Sequence, residues 1–176
     1  TIFAQCQNSD RENIHLLELG PGAGYLAKAI LSLLTPHLDS VSYLGIDVNP
    51  ELTAHTQKQL SRWEYPNISL KTTDLNNNFW PRDLDSFDIA YTFQTLHDLG
   101  GYEALESVYG KLFALIRPGG LLLNADFVTP FANENLQKPR RFPVERHQQL
   151  LESIGFIEFE CQTSIGKLAC MTALRP

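Results

Sequence analysis

Short apolar runs alternate with helical patterns along most of the chain. Runs of this kind are typical of strands that are buried on both faces of a parallel sheet. They lie at Ile14–Leu19, Val41–Val48, Ile68–Thr73, Phe87–Phe93 and Leu121–Phe127. The clearest amphipathic helix pattern is formed by Leu105, Val108, Tyr109, Leu112, Phe113 and Ile116. The alternation predicts an α/β domain in which helices cover a parallel sheet.

Turn and cap residues predict where several of these elements begin and end. Asn49 is a suitable N-cap for a helix with Pro50 in its first turn, and this helix is expected to run to about Trp63. Pro118-Gly119-Gly120 predicts a turn before the fifth strand. Gly155 is a suitable C-terminal cap for the last helix.

The C-terminal part differs, because two strand patterns follow each other directly. Phe156–Thr163 and Lys167–Leu174 are predicted to form a hairpin through Ser164-Ile165-Gly166. The first strand alternates, with Ile157, Phe159 and Cys161 on one face and Glu158 and Glu160 on the other. Charged side chains protect a sheet edge, so the first strand is predicted at the edge and the apolar second strand inside.

Length and charge limit the classes of function. The 176 residues suit one domain, 1–176, and the formal net charge of -6 without a run of Lys or Arg argues against nucleic-acid binding. No segment approaches about 18 consecutive apolar residues, so no membrane span is predicted. The chain begins at Thr1 rather than Met, which fits a trimmed product or a piece that lacks an N-terminal segment.

The three cysteines are Cys6, Cys161 and Cys170. They are odd in number and lack the spacing of zinc ligands, so neither a disulfide framework nor a metal site is predicted. They are interpreted as buried thiols in a reducing compartment. With no signal peptide in the sequence, this predicts a cytoplasmic protein.

A glycine loop joins the first strand to the first helix. Gly20, Gly22 and Gly24 would allow a tight turn and the close approach of a ligand to the backbone. The helix that follows offers free N–H groups and a positive dipole end. The pattern is GxGxG, and Tyr25 stands where the dinucleotide-binding fingerprint GxGxxG requires its last glycine.

Two carboxylates end the next two strands. Asp47 ends the second strand and Asp74 ends the third. Ligands of open parallel sheets bind beyond the carboxyl ends of the strands, so both side chains are expected to face one crevice with the glycine loop. Asp88 begins its strand away from this crevice and is predicted to be structural, and Asp126 receives no role.

These motifs resemble those of the class I S-adenosylmethionine-dependent methyltransferases. The resemblance rests on Glu18-x-Gly20-x-Gly22-x-Gly24, Asp47, Asp74-Leu75, Phe87–Tyr91, Leu115–Gly120 and the final hairpin, in the family's order. It covers the chain from about Ile14 to Arg175. It implies a doubly wound, Rossmann-like sheet of seven strands with an antiparallel C-terminal hairpin, and S-adenosylmethionine as the cofactor.

The resemblance also implies a role for each position near the first two strands. Gly20, Gly22 and Gly24 would cradle the methionine part of the cofactor. Glu18 would support this loop and help to hold the amino group. Asp47 would bind the ribose hydroxyls.

Further positions follow in the same way. Val48 would pack on the adenine, and Asp74 would accept from the adenine amino group with the Leu75 backbone nearby. Phe93 and Gln94 would lie near the sulfonium end.

His97 is the candidate catalytic residue, because it follows the fourth strand, where the family often has acceptor-side residues. A histidine there can act as a general base. The alternative is a histidine that packs against the cofactor or caps the loop before Gly100-Gly101. His147 is interpreted as a surface or core histidine. Arg140 and Arg141 are interpreted as a solvated loop, with the holding of an anionic acceptor as the alternative.

The predicted function is methyl transfer from S-adenosylmethionine to a small-molecule acceptor, since the chain is acidic and has no nucleic-acid-binding motif. Three alternatives remain open at this point. They are an RNA or protein methyltransferase, a nicotinamide-dependent oxidoreductase and a non-catalytic binding module of the same fold. The sequence assigns neither the acceptor atom nor an oligomeric state.

Overall fold

A seven-stranded mixed sheet organises the computed structural model, which describes residues 13–34, 41–62 and 67–176. The strands are β1 (Ile14–Leu19), β2 (Val41–Asp47), β3 (Ile68–Thr72), β4 (Phe87–Phe93), β5 (Ile116–Phe127), β6 (Ile157–Ile165) and β7 (Leu168–Leu174). The helices are α1 (Tyr25–Leu33), α2 (Pro50–Ser61), α3 (Tyr102–Leu115) and α4 (Val144–Ile154), with a short 3₁₀ helix at Leu96–Asp98. The predicted α/β class is confirmed.

The strand order is β3-β2-β1-β4-β5-β7-β6. Neighbours among β1 to β5 pair in parallel, whereas β7 is antiparallel to both β5 and β6. The predicted hairpin is therefore confirmed, with its first strand at the sheet edge and its second inside. The order reverses between β1 and β4, and such a switch point opens a crevice at the carboxyl ends of these strands.

Two apolar layers cover the sheet because neighbouring residues of a strand point to opposite faces. Leu17 belongs to the cluster that packs under α3 and α4, while Leu16 belongs to the cluster under α1. The first cluster also contains Trp80, and the second contains the buried tyrosines Tyr43 and Tyr91. None of the helices within the described ranges is long and apolar enough to cross a bilayer.

The predicted turn at Pro118-Gly119-Gly120 is wrong, because these residues form part of β5. Gly119 N donates to Arg175 O at 2.8 Å, and Arg175 N donates to Gly120 O at 3.0 Å. The segment is thereby held against the C-terminal end of β7, and an irregular register between Phe87 and Ile89 absorbs the local distortion. The helix α2 ends at Ser61, and the expected end at Trp63 lies outside the described residues.

The alternation predicted for β6 does not hold along the strand. Its register with β7 shifts twice, and Glu158 has a positive φ of 52°, which marks a bulge. Ile157 is 44% exposed, and Phe159 is partly buried against the core. Cys161 is exposed and Cys170 half-buried, so the prediction of buried thiols is wrong for Cys161, and Cys6 lies outside the described residues.

Candidate functional site

The glycine loop after β1 turns through three left-handed glycines. The φ angles are 69° at Gly20, 54° at Gly22 and 78° at Gly24, a region that side-chain-bearing residues rarely adopt. A Cβ at Gly20 would collide with the side chain of Thr95, whereas a Cβ at Gly22 would meet no atom within 4 Å. The backbone at Gly22 therefore borders open space that a ligand can occupy.

Asp47 holds the glycine loop from the end of β2. Its Oδ2 accepts from Gly22 N at 2.9 Å, and its Oδ1 accepts from Asn49 N at 2.9 Å. Asn49 in turn caps α2, because its side chain accepts from Glu51 N and Leu52 N. A carboxylate has about four acceptor positions, so both oxygens of Asp47 retain capacity for ligand hydroxyl groups.

A cavity of about 370 Å³ opens beside this loop. Six of the predicted cofactor residues line it, namely Gly20, Asp47, Val48, Asp74, Leu75 and Gln94. The other four, Glu18, Gly22, Gly24 and Phe93, do not line it. Glu18, Gly22 and Gly24 belong to the same segment as Gly20, which does line the cavity. Its volume lies in the range of about 300–1,000 Å³ that is typical of small-molecule sites.

The far wall of the cavity is the loop after β3. Asp74 is exposed, and its Oδ1 accepts from Asn76 N at 2.8 Å. The carbonyl of Leu75 accepts from Trp80 Nε1 at 3.0 Å and from Lys111 Nζ at 3.3 Å. These bonds anchor the backbone of the loop and leave the second carboxylate oxygen of Asp74 available.

Val48 and Gln94 line the cavity as exposed residues, and Phe93, which directly precedes Gln94, is exposed as well. Val48 is 64% exposed and Phe93 is 42% exposed, so both present apolar surface that a ligand could cover. Gln94 has a positive φ of 53°, and its N–H donates to Ala125 O at 2.8 Å. Strained backbone of this kind is concentrated at binding sites.

Glu18 lies beneath the glycine loop rather than in the cavity wall. Its side chain is 1% exposed, and its Oε2 accepts from Tyr43 Oη at 2.6 Å and from Tyr91 Oη at 3.2 Å. Burial raises the pKa of Glu18 to about 7, although the two phenol hydrogen bonds act in the opposite direction. The carboxylate therefore changes charge near neutral pH.

The residues present fit S-adenosylmethionine. Open space at Gly22, a cavity of suitable volume and carboxylates at two strand ends match the zwitterionic, ribose and adenine parts of this ligand. Asp47, Asp74 and Glu18 are the acidic groups that would hold its donors. Gly20, Gly22 and Gly24 provide the backbone surface against which its amino-acid part would lie.

His97 lies in the 3₁₀ helix after β4 and contacts a residue to which the sequence assigned no role. Its Nδ1 lies 2.6 Å from Oδ1 of Asp126, and its backbone N–H donates to Oδ2 at 3.0 Å. Oδ1 also accepts from Phe127 N at 2.7 Å. A carboxylate at this distance orients the imidazole with Nδ1 towards Asp126 and Nε2 on the opposite side of the ring.

The signal for Asp126 was present in the sequence. It is a carboxylate near the end of an apolar strand, the pattern that selected Asp47 and Asp74. It is 1% exposed, and the His97 side chain is 9% exposed. Oδ2 of Asp98 lies 3.5 Å from Nε2 of His97 on the more exposed side of the ring.

The remaining candidates have structural contacts. His147 is a core histidine, whose Nδ1 lies 2.8 Å from Tyr109 Oη, and burial lowers its pKa to about 4. Arg140 donates to Asp98 and Arg141 donates to Glu134, so both arginines anchor the segment before α4.

Asp88 has the structural role predicted for it. Arg117 Nη1 donates to both oxygens of Asp88, at 3.2 and 3.0 Å. His15 N donates to Oδ2 at 2.8 Å. This cluster lies at the end of the sheet opposite the glycine loop, since Asp88 is near the start of β4.

Known proteins resemble this chain in sequence and in fold. Hybrid PKS-NRPS synthetase lepA of Aspergillus flavus is 26% identical over 115 residues, and reducing polyketide synthase Preu2 of Preussia isomera is 30% identical over 113 residues. Each match covers 63% of this chain but only 3% and 4% of the two curated proteins.

The fold resembles that of the CurJ carbon methyltransferase, with a TM-score of 0.81 and 18% identity. The alignment covers 99% of this chain and 51% of that chain, so this chain spans about half the length of the solved structure. A family model described as "Methyltransferase domain" matches residues 17–122, which is more than half of the chain. That match includes the glycine loop, Asp47 and Asp74, and the chain belongs to the class I S-adenosylmethionine-dependent methyltransferase family.

Proposed function

We propose that this domain methylates a carbon atom of a small-molecule acceptor, at a C–H position made acidic by neighbouring carbonyl groups. S-Adenosylmethionine is the methyl donor and His97 is the general base. The observation that carries the proposal is the His97–Asp126 pair at the carboxyl ends of β4 and β5, with the nearby residues Thr95 and Asp98 in the wall of the cavity beside the glycine loop.

A general base suits an acceptor that loses a proton on methylation, either a C–H group or a hydroxyl, and the names of the similar polyketide synthase and carbon methyltransferase favour carbon. A C–H group has no free electron pair, so its proton must leave before carbon can attack, whereas a neutral amine needs no such step. Nε2 of His97 removes this proton, and the electron pair of the C–H bond remains on the acceptor carbon. Asp126 stabilises the resulting imidazolium through its contact with Nδ1.

S-Adenosylmethionine, when bound, supplies a methyl group on a positively charged sulfur atom, which is already a strong electrophile. The protein's part is to bind and orient. Asp47 holds the ribose hydroxyls, Val48 packs on the adenine, and Asp74 with the Leu75 backbone binds the adenine edge. Glu18 faces the amino group from beneath the loop, and Phe93 and Gln94 border the methyl end.

Two further observations concern the acceptor, the first favouring carbon and the second favouring a small molecule. The two curated relatives are named as a PKS-NRPS synthetase and a polyketide synthase, and the similar solved structure is named as a carbon methyltransferase. The net charge of -6 disfavours a nucleic-acid acceptor. The free thiols Cys161 and Cys170 are compatible with a cytoplasmic location, which is part of the proposal.

The test uses a β-ketoacyl thioester of N-acetylcysteamine as the acceptor probe. We expect the domain to add a methyl group at the carbon between the two carbonyls, detected by mass spectrometry and NMR. In D₂O it should also accelerate exchange of that C–H position without turnover. His97→Gln should lose both activities while S-adenosylhomocysteine still binds. Methyl transfer to a hydroxyl or amine probe at an undiminished rate in His97→Gln would overturn the assignment.

A further inference from the structure

We propose that Tyr43 and Tyr91 are positioning residues that hold Glu18 in place as a carboxylate, and that this pair governs recognition of the cofactor's ammonium group. The inference rests on the proposed cofactor role of Glu18. It concerns two residues that lie outside the motifs of the glycine loop and the strand-end carboxylates.

Side chains from three neighbouring strands meet at one carboxylate oxygen, Oε2 of Glu18. Glu18 belongs to β1, Tyr43 to β2 and Tyr91 to β4, and both phenols converge on Oε2 at 2.6 and 3.2 Å. Oε1 has no hydrogen-bond partner among the described residues. One oxygen is therefore fixed by the fold, and the other is left for a donor from the loop side.

Gly45 makes room for this arrangement. A Cβ at Gly45 would lie 2.7 Å from Tyr43 Oη and 2.5 Å from Leu70 Cδ1. The absence of a side chain on β2 therefore allows the Tyr43 phenol to reach across towards Glu18. The conformation at Gly45 does not require a glycine, so the residue is explained by this close approach.

The surroundings provide little else to stabilise a charge on Glu18. The buried residues of α1, which covers this face, are Ala27, Ile30 and Leu31, and the only charged residue of this helix, Lys28, is exposed. Asp47 on β2 acts as a like charge and raises the pKa of Glu18, as burial does. The two phenols are the groups that lower it.

Both phenols remain protonated donors. Burial and the neighbouring Glu18 charge raise the pKa of Tyr43 and of Tyr91 well above the usual value. Hydrogen bonds to an ionised acceptor are about twice as strong as neutral ones. Removing one phenol should therefore favour the protonated, uncharged Glu18 at neutral pH, and an uncharged acid cannot attract an ammonium group.

The experiment measures the affinities of two probes by calorimetry between pH 6 and 8.5. S-Adenosylhomocysteine carries the ammonium group, and 5′-methylthioadenosine shares the nucleoside but lacks the amino-acid part. In the unmodified domain, S-adenosylhomocysteine affinity should fall as the pH decreases through about 7, the pKa of Glu18. The affinity for 5′-methylthioadenosine should stay constant.

Tyr43→Phe should raise the pH at which S-adenosylhomocysteine affinity is half lost by about one pH unit or more, because one charge-assisted hydrogen bond to Glu18 is lost. At neutral pH, S-adenosylhomocysteine affinity then falls roughly fivefold, from the change in ionised fraction, and 5′-methylthioadenosine affinity is unchanged. Tyr91→Phe should give a smaller shift, because its bond is longer. Glu18→Gln should bind S-adenosylhomocysteine weakly at every pH, and adding Tyr43→Phe to it should change nothing.

Tyr102→Phe is the matched control, since its ring packs edge-on against Phe142 at 5.7 Å, away from Glu18. Equal losses for both probes in Tyr43→Phe, or an unshifted pH profile, would overturn the inference. Should Tyr43→Phe fail to fold, Tyr91→Phe and Glu18→Gln provide the same comparison. An unmodified domain that binds neither probe would instead refute the proposed cofactor site itself.

Discussion

Nδ1 of His97 lies 2.6 Å from Oδ1 of Asp126, although 29 positions separate the two residues in sequence. The contact fixes the ring with Nδ1 towards Asp126, so that Nε2 is the nitrogen that would face the acceptor under the proposed function. Both residues are at the carboxyl ends of neighbouring strands, where the switch point in strand order opens the crevice.

Asp126→Asn should reduce turnover by about 100-fold or more, because an amide cannot stabilise the imidazolium that forms on His97. The affinity for S-adenosylhomocysteine should change by less than about twofold, since Asp126 does not line the cavity beside the glycine loop. Steady-state kinetics and calorimetry measure the two quantities. Glu103→Gln, an exposed acid on α3, is the control. Equal turnover in Asp126→Asn and the control would contradict the role of the pair.

Asp47→Ala should weaken cofactor binding by about tenfold or more, because a charge-assisted hydrogen bond to the ribose is lost. The same change removes the acceptor for Gly22 N and Asn49 N, so loop order should also decrease. Asp74→Ala is the comparison, because its side chain is exposed and should contribute less. Calorimetry with S-adenosylhomocysteine gives both values, and an unchanged affinity in Asp47→Ala would remove the ribose role.

Two glycines of the loop should respond differently to substitution by alanine. Each adopts a positive φ, which costs a Cβ-bearing residue about 1–2 kcal/mol. Gly20→Ala should lower the free energy of unfolding further, because its Cβ collides with Thr95. Gly22→Ala should be milder for stability, since no atom lies within 4 Å, but should weaken cofactor binding. Urea unfolding and calorimetry separate the effects, and a larger stability loss in Gly22→Ala would contradict this assignment.

The pH dependence of stability should contain two opposing contributions. The pKa of His147 is lowered from 6.5 to about 4, so the unfolded chain binds more protons between these values and stability rises with pH. The pKa of Glu18 is raised from 4.5 to about 7, so the folded chain binds more protons and stability falls as pH rises. The two effects should largely cancel between about pH 4.5 and 6.5.

Substitutions should reveal each contribution in urea unfolding across this pH range. His147→Gln leaves Glu18 unopposed, so stability should decrease as pH rises. Glu18→Gln leaves His147 unopposed, so stability should increase as pH rises. Slopes of the same sign in the two variants would show that one of these groups is not perturbed in the folded protein.

The sequence predicted the end residues of several elements correctly, because the signals that set these ends are local. The apolar runs of β1 and β4 end where the predicted ones do, and Gly155 caps α4 in a left-handed conformation. The error at Pro118–Gly120 has a physical cause, because Gly119 keeps a left-handed φ of 75° while hydrogen bonds to Arg175 hold the segment in the sheet as an irregular part of β5. The bulge at Glu158 likewise depends on the register with β7, which no pattern within β6 specifies.

The sequence by itself determined the fold class, the glycine loop and the end of the sheet at which the acidic residues gather, because strand polarity follows from chain direction. Only the tertiary structure decided which side chains meet. Asp126 contacts His97, and two tyrosines from different strands share Oε2 of Glu18. Such contacts depend on strand order and on the space left at Gly45 and Gly20, and these are properties of packing between distant segments.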